Sequence, residues 1–133
     1  MIKSEGKIVT EIYKYVKTTA LAAAINGKIL KSIDRDVNSD TEDIVIKPLA
    51  NNPKFTQETI INLNIYVPDL LDDSQYIKNG ARCDTLEEIA CQCLEVFQIG
   101  GARVNLEEQH TYKVTDAKCH VINCRLLYKI ENS

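Results

Sequence analysis

The amino-acid sequence predicts an α+β fold in which two helices pack on a mostly antiparallel sheet, in the order α-β-β-β-α-β-β. Three observations support this prediction. An amphipathic segment opens the chain, an alternating apolar segment covers 61–67, and a second amphipathic segment precedes two further alternating segments. The length of 133 residues fits one domain over 1–133, large enough to form a core without disulfides or metals.

Charge and composition argue against several classes of protein. The formal net charge is -3, whereas a general nucleic-acid binder takes most of its affinity from a basic face. No apolar run approaches the roughly 20 residues that span a bilayer, and charged residues occupy the place of a signal peptide's apolar core. We therefore expect a protein of the cytoplasm with no membrane partner, whose five cysteines are reduced.

The first predicted element is a helix over 5–25, because apolar and small side chains recur there at three- and four-residue steps. Ser4 is suited to cap its start, and Asn26-Gly27 is a stop signal because both residues accept positive φ. A short strand over 28–33 is predicted to follow.

A hairpin is predicted from two apolar segments, 44–49 and 55–67, joined by a turn at Asn51-Asn52-Pro53. Pro48 limits the first strand to an edge or an irregular end, because proline lacks the N–H that a central strand donates. The second strand alternates, so its two faces differ. We expect one face in the core and one polar; the core face carries Ile61, Leu63, Ile65 and Val67, and the polar face Asn62, Asn64 and Tyr66.

The second half of the sequence predicts a helix and two strands. Asp84 and Glu87 match a capping box, and Gly100-Gly101 would end the helix. Its predicted core stripe consists of Leu86, Ile89, Ala90, Cys93, Leu94 and Phe97. The strands cover 103–114 and 118–130. The predicted inward face of the first strand carries Val104, Leu106, Tyr112 and Val114. That of the second strand carries Ile122, Cys124, Leu126, Tyr128 and Ile130.

Cysteine and histidine positions do not favour a metal or catalytic site. Cys91 and Cys93 are two apart on a predicted helix, and Cys119 and Cys124 are five apart on a predicted strand, so neither pair has the spacing of a zinc knuckle. Buried thiolates would also be poor nucleophiles. We expect His120 to be a hydrogen-bonded strand residue. No catalytic, metal or cofactor residue is predicted.

The polar segment 34–43 is predicted to be a solvated acidic loop. It resembles a calcium loop in composition alone, because it lacks the central glycine and the terminal bidentate glutamate. The five glycines of the chain form no phosphate-cradling pattern. Residue chemistry therefore predicts a protein that is not an enzyme, and we expect its function to depend on surfaces that contact other chains.

The order of the elements resembles the bacteriophage tail-terminator family, the tail-completion proteins of the head–tail junction. The features that carry the likeness are the first helix ending at Asn26-Gly27, the phrase NSDTEDIVI over 38–46, and NLNIYVP over 62–68 followed by a helix and a C-terminal hairpin. The likeness covers most of the chain as an arrangement of elements. These motifs have low specificity, since fold more than fixed residues holds the family together.

The resemblance implies a non-enzymatic structural protein of a phage or prophage. Members form rings, commonly hexamers, that end the tail tube and join it to the head, and DNA passes through the lumen without specific binding. The expected partners are further copies, tail-tube proteins and head-completion proteins, in the bacterial cytoplasm and then in the virion. Within this frame the polar loop is the candidate subunit contact: Arg35, Asn38, Ser39, Asp40, Glu42 and Asp43. We expect alanine at Asp40, Glu42 and Asp43 to alter assembly and leave folding intact.

An alternative function also fits the polar-faced strands. A small cytoplasmic adaptor or regulatory module would bind a peptide on an exposed sheet edge by adding it as a further strand. Such a protein would form a 1:1 complex and no ring.

Overall fold

A computed structural model describes residues 2–31 and 35–131. It contains an α+β arrangement of three helices and eight strands within those ranges. The helices are α1 Glu5–Lys17, α2 Ala20–Ala24 and α3 Gly80–Leu94. The strands are β1 Ile29–Leu30, β2 Asp43–Asn52, β3 Thr56–Pro68, β4 Leu70–Asp72, β5 Gln75–Ile77, β6 Val96–Ile99, β7 Ala102–Lys113 and β8 Cys119–Glu131. No helix in these ranges is both long and apolar enough to cross a bilayer.

Six strands form one sheet in the order β1-β2-β3-β8-β7-β6, and β4 and β5 form a separate two-stranded sheet. Every pairing is antiparallel except that of β1 with β2. Along its whole length of 13 residues, β3 pairs with β8. The predicted α+β class and mostly antiparallel sheet are thereby confirmed.

The core lies between the helices and one face of the six-stranded sheet. On β3, the four side chains predicted to face inward are all buried, which confirms the predicted alternation. The same core contains the inner face of α1 and of α3. Val45 and Val121 lie on the opposite face of the sheet, outside this core. We call that opposite side the open face.

The first helix is shorter than predicted, because it ends at Lys17 and not at 25. The hydroxyls of Thr18 and Thr19 donate to the carbonyls of Tyr15 and Val16, each at 2.7 Å. These bonds satisfy carbonyls at the helix end, and Thr19 adopts an extended backbone that starts α2 in a new direction. Ser4 caps α1 as predicted, by accepting a hydrogen bond from the Lys7 N–H.

The central helix α3 starts and ends earlier than predicted. Its cap is Asn79, whose side chain accepts a hydrogen bond from the Arg82 N–H at 3.2 Å, so the predicted cap Asp84 lies inside the helix. Phe97 belongs to β6, where it stacks on Tyr15 at 3.8 Å between ring centroids. The glycines at 100 and 101, both at positive φ, form the β6–β7 turn and do not end the helix.

The predicted β2–β3 hairpin is confirmed, with its turn after Asn52 and an irregular register at Pro48. By contrast, the single inward face predicted for 103–114 is wrong. A bulge between Leu106 and Glu108 inverts the second half of β7. Tyr112 therefore lies beside Val121 on the open face and is exposed. The predicted strand 28–33 is observed for 29–30, and 32–33 lie outside the described residues.

Candidate assembly interface

The polar loop is anchored by a buried ion pair. Arg35 Nε lies 3.0 Å from Asp43 Oδ2, and the two side chains are only 8% and 5% exposed. Asp43 also accepts hydrogen bonds from the Ser39 and Thr41 hydroxyls and from the Lys28 N–H, at 2.7, 2.9 and 2.9 Å. The carboxylate thus fastens the loop to the start of β2.

This environment holds Asp43 in its ionised form. Burial raises the pKa of its carboxyl, but the Lys28 N–H, the two hydroxyls and the Arg35 guanidinium lower it further, so the net pKa lies below the ordinary value. The guanidinium carbon of Arg35 in turn lies 4.2 Å from the centre of the Tyr66 ring. The loop is therefore connected to the open face of β3 as well as to β2.

Glu42 connects the loop to α3. Its carboxylate accepts two hydrogen bonds from Arg82, the longer at 2.9 Å, and this contact raises the pKa of Arg82. Arg82 also donates to the carbonyl of Ala24 at the end of α2. Gly27 passes so close to Glu42 and Asp43 that a Cβ there would collide with both residues. A side chain at 27 would therefore displace the loop.

The six predicted contact residues divide into two groups. Arg35, Glu42 and Asp43 are committed to ion pairs within the chain, so the expectation that alanine at Glu42 and Asp43 leaves folding intact no longer holds. Asn38 and Asp40 are exposed, with the half-buried Ser39 between them. The outer part of the loop remains the predicted contact.

A projecting hairpin, β4–β5, was not predicted from the sequence. Its register pairs Leu70 with Ile77 and Leu71 with Tyr76, so each face of the hairpin carries one apolar pair. All four side chains are exposed, with Leu71 at 64%. A two-residue turn with positive φ at Asp73 and Ser74 joins the strands. The signal was two pairs of apolar residues, Leu70-Leu71 and Tyr76-Ile77, on either side of an Asp-Ser turn, too short for periodicity to identify.

The hairpin is held at its base, where the Asp69 N–H donates to the Lys118 carbonyl at 2.9 Å. Lys118 Nζ lies 4.5 Å from the centre of the Tyr76 ring. A groove of about 360 Å³ separates Tyr76 from the outer loop, where Val37 is 82% exposed. Isolated two-stranded hairpins are only marginally stable in water. An apolar hairpin with both faces exposed is therefore a surface suited to contact another protein.

Side chains at one end of the open face are buried, and those at the other end are accessible to solvent. Near the loop, Val45, Asn64 and Val121 are buried although they face away from the helices. At the other end, Ile60 lies opposite Leu127, and Asn105 lies between Leu127 and Val96. Ile60 and Leu127 are half-buried and Val96 is exposed. We call Ile60, Leu127 and Val96 the apolar stripe.

Polar side chains fill the centre of the open face. Asn123 Nδ2 donates to Asn64 Oδ1 at 2.7 Å and to Asn62 Oδ1 at 3.3 Å. Arg125 is the next open-face residue of β8, and its Nε is buried with no hydrogen-bond acceptor among the described residues. This atom is therefore a buried donor whose hydrogen-bonding capacity is not satisfied by the described residues.

The histidines have different environments. His120 Nδ1 lies 2.7 Å from Asp69 Oδ1, which confirms the prediction of a hydrogen-bonded strand histidine. Asp69 also accepts from Lys113, and despite burial these partners lower its carboxyl pKa. His110 is exposed on the open face. Across 2–31 and 35–131, no three His, Cys, Asp or Glu side chains are grouped as metal ligands.

Thiol alkylation should distinguish buried from exposed cysteines. Cys91 is exposed and Cys93 half-buried. The other three cysteines are buried, and burial raises the pKa of each thiol, that of Cys124 to about 12; they are Cys83, Cys119 and Cys124. We expect iodoacetamide to modify the exposed Cys91 first and the buried three only after unfolding.

Intact-mass spectrometry over time measures this order, and Cys91→Ser is the control that should remove the fast step. A thiol that reacts far faster than free cysteine would contradict the prediction that no cysteine is a nucleophile.

Comparisons with known proteins place the fold and go no further. No protein-family model matches the chain, and no curated protein matches it in sequence. The α+β arrangement is shared with a chain of a solved structure described as the virion of a native gene transfer agent particle. The TM-score is 0.61 at 10% sequence identity, over 94% of this chain and 95% of that chain. The likeness thus extends over nearly the whole of both chains.

Proposed function

We propose that this chain, acting as one domain over 1–133, is a non-enzymatic structural protein of a phage or prophage. It assembles as a ring, a hexamer in the expectation drawn from the tail-terminator resemblance, which ends the tail tube and joins it to the head. The nearly full-length fold likeness to a virion chain supports this assignment. The same resemblance makes tail-tube and head-completion proteins its partners, first in the host cytoplasm and then in the virion.

The observation that carries the proposal is the separation of two exposed apolar surfaces. The β4–β5 hairpin follows the last residue of β3, and the apolar stripe crosses β3 near its first residues. A ring is built from heterologous contacts, in which one patch meets a different patch on the next copy. One chain with two different patches at opposite ends of a sheet meets that requirement.

The outer part of the polar loop is the second proposed contact. Asn38, Ser39 and Asp40 lie beside the hairpin across the groove, so a neighbour that contacts the hairpin would also reach the loop. The ion pairs of Arg35, Glu42 and Asp43 fix its position. The net charge of -3 fits a lumen that does not retain DNA phosphates.

Sedimentation velocity and negative-stain electron microscopy of the purified protein test the proposal. We expect a concentration-dependent closed ring, six-fold in projection. A strict monomer at all protein and salt concentrations would contradict it. A monomer that captures one peptide on a strand edge in a 1:1 complex would favour the adaptor alternative.

A further inference from the structure

The apolar stripe is bordered by basic side chains on both sides. Lys129 and Arg103 lie directly opposite each other on one side of it, and Arg125 and Lys47 belong to the row on the other side. Two like charges in direct cross-strand contact repel each other. An arriving carboxylate would relieve that repulsion.

The acidic groups on this part of the open face do not balance the basic ones. Glu58 is opposite Lys129, at 3.9 Å in a pair of which both members are about half exposed, and Glu108 is opposite Arg125. Glu131 shares the open face with Lys129, two residues further along β8, and borders the same cavity as Arg103 and Lys129. Four cations thus face three carboxylates. The surface is an apolar stripe with an excess of positive charge.

The β4–β5 hairpin has the complementary chemistry. Its apolar pairs end at a tip that carries Asp72 and Asp73, while Lys78 lies at its base. A hairpin laid across the stripe would place apolar side chains against Ile60 and Leu127 and bring its two tip carboxylates to the bordering cations. Two hairpins, or two apolar stripes, would not complement each other in this way.

A chain cannot place its own hairpin on its own stripe. Residues 60 and 68 are eight positions apart on an extended strand, a distance of about 26 Å at 3.3 Å per residue. The hairpin strands have three residues each and reach only about 10 Å. The hairpin occupying a stripe must therefore come from a second copy.

We infer that in the assembled protein the β4–β5 hairpin of one copy lies across the apolar stripe of the next, with Asp72 and Asp73 paired to the cations around it. This contact rests on the proposed ring and names the surfaces that form it. Because the contact is heterologous, the apolar stripe of each copy is covered by the hairpin of one neighbour, and its own hairpin covers the apolar stripe of the other neighbour.

Two charge-reversed variants test the contact. The first carries Asp72→Lys and Asp73→Asn, since asparagine tolerates the positive φ at that position. The second carries Arg103→Glu and Lys129→Gln, because a glutamate at 129 would lie directly opposite both Glu58 and the new carboxylate at 103. All four positions are exposed, so both variants should melt like the unaltered protein. Gln92→Glu on the exposed face of α3 is the control for added charge.

Each variant alone should self-associate at least tenfold more weakly in sedimentation, because its hairpin and its stripe then carry like charge. An equimolar mixture should assemble again, with the two variants alternating, and raising the salt should weaken both effects.

The outcomes separate the contact from the ring. If the unaltered protein assembles and both variants do so equally well, the hairpin–stripe contact is overturned and the proposed ring stands. If both variants fail alone and the mixture does not recover, the contact is also overturned, because the two surfaces then act on different partners. If the unaltered protein never assembles, the ring and the contact are overturned together.

Discussion

Ile65→Asp is expected to abolish the cooperative thermal melt of this protein. Ile65 is 0% exposed and lies between Ile44 and Ile122 at the centre of the sheet. An aspartate there loses the apolar contacts and buries a carboxylate between two isoleucine side chains. Together these effects cost about 5 kcal/mol or more, comparable with the whole free energy of unfolding of a small domain. Far-UV circular dichroism against temperature measures the result.

Ile60→Asp is the matched control, because it makes the same substitution on the open face of the same strand. Ile60 is half-buried, so this variant should keep a cooperative melt and lose self-association. A cooperative melt of Ile65→Asp together with unfolding of Ile60→Asp would mean that the two faces of β3 are exchanged.

Asp43→Ala should lower the free energy of unfolding by about 3–5 kcal/mol, the usual loss when a buried ion pair loses one partner. Arg35 would keep a buried charge without its carboxylate, and the Lys28 N–H would lose its acceptor. Urea denaturation at neutral pH measures the loss. Asp40→Ala is the control, and because Asp40 is exposed its effect should stay within about 0.5 kcal/mol. Equal effects of both substitutions would refute the anchoring role of Asp43.

The stabilisation by Asp43 should also depend on pH with a defined sign. Its carboxyl pKa is lowered in the folded state, so its contribution is complete above the unfolded value of about 4 and disappears as the pH falls through the lower folded value. The stability difference between the unaltered protein and Asp43→Asn should accordingly be largest at neutral pH and shrink below about pH 4. A difference that grows on acidification would contradict a lowered pKa.

Sequence patterns predicted the parts of the fold in which one periodicity runs without interruption. The alternation from Ile61 to Val67 identified β3, its buried face and its pairing in a hairpin. The pattern failed where tertiary contacts decide the local structure. The bulge after Leu106 inverts β7, so that Gln109 and Thr111 face α3 and bond to Glu87. The register change cannot be recognised from the order of side chains alone.

The candidate site, too, was predicted from the sequence only in part. Composition located the polar loop, but five acids in ten residues could not distinguish Asp40 at the surface from Asp43 in a buried ion pair. The fold brings Arg35 to Asp43 and Arg82 to Glu42, and Arg82 is 40 residues from Glu42 in the sequence. The β4–β5 hairpin was missed because each of its strands has only three residues.

The continuous pairing of β3 with β8 has a mechanical consequence. All 13 residues of β3 are paired, the hairpin leaves one end of that strand, and the apolar stripe crosses it near the other. Tension between neighbours joined at these two places would run along the strands, at right angles to the ladder hydrogen bonds. The bonds would then share the load in shear and would not open one after another. A pull across the strands, applied at the short outer strand β6, would instead break four residues of pairing in sequence. The chain should therefore resist stretching far better along β3 than across it.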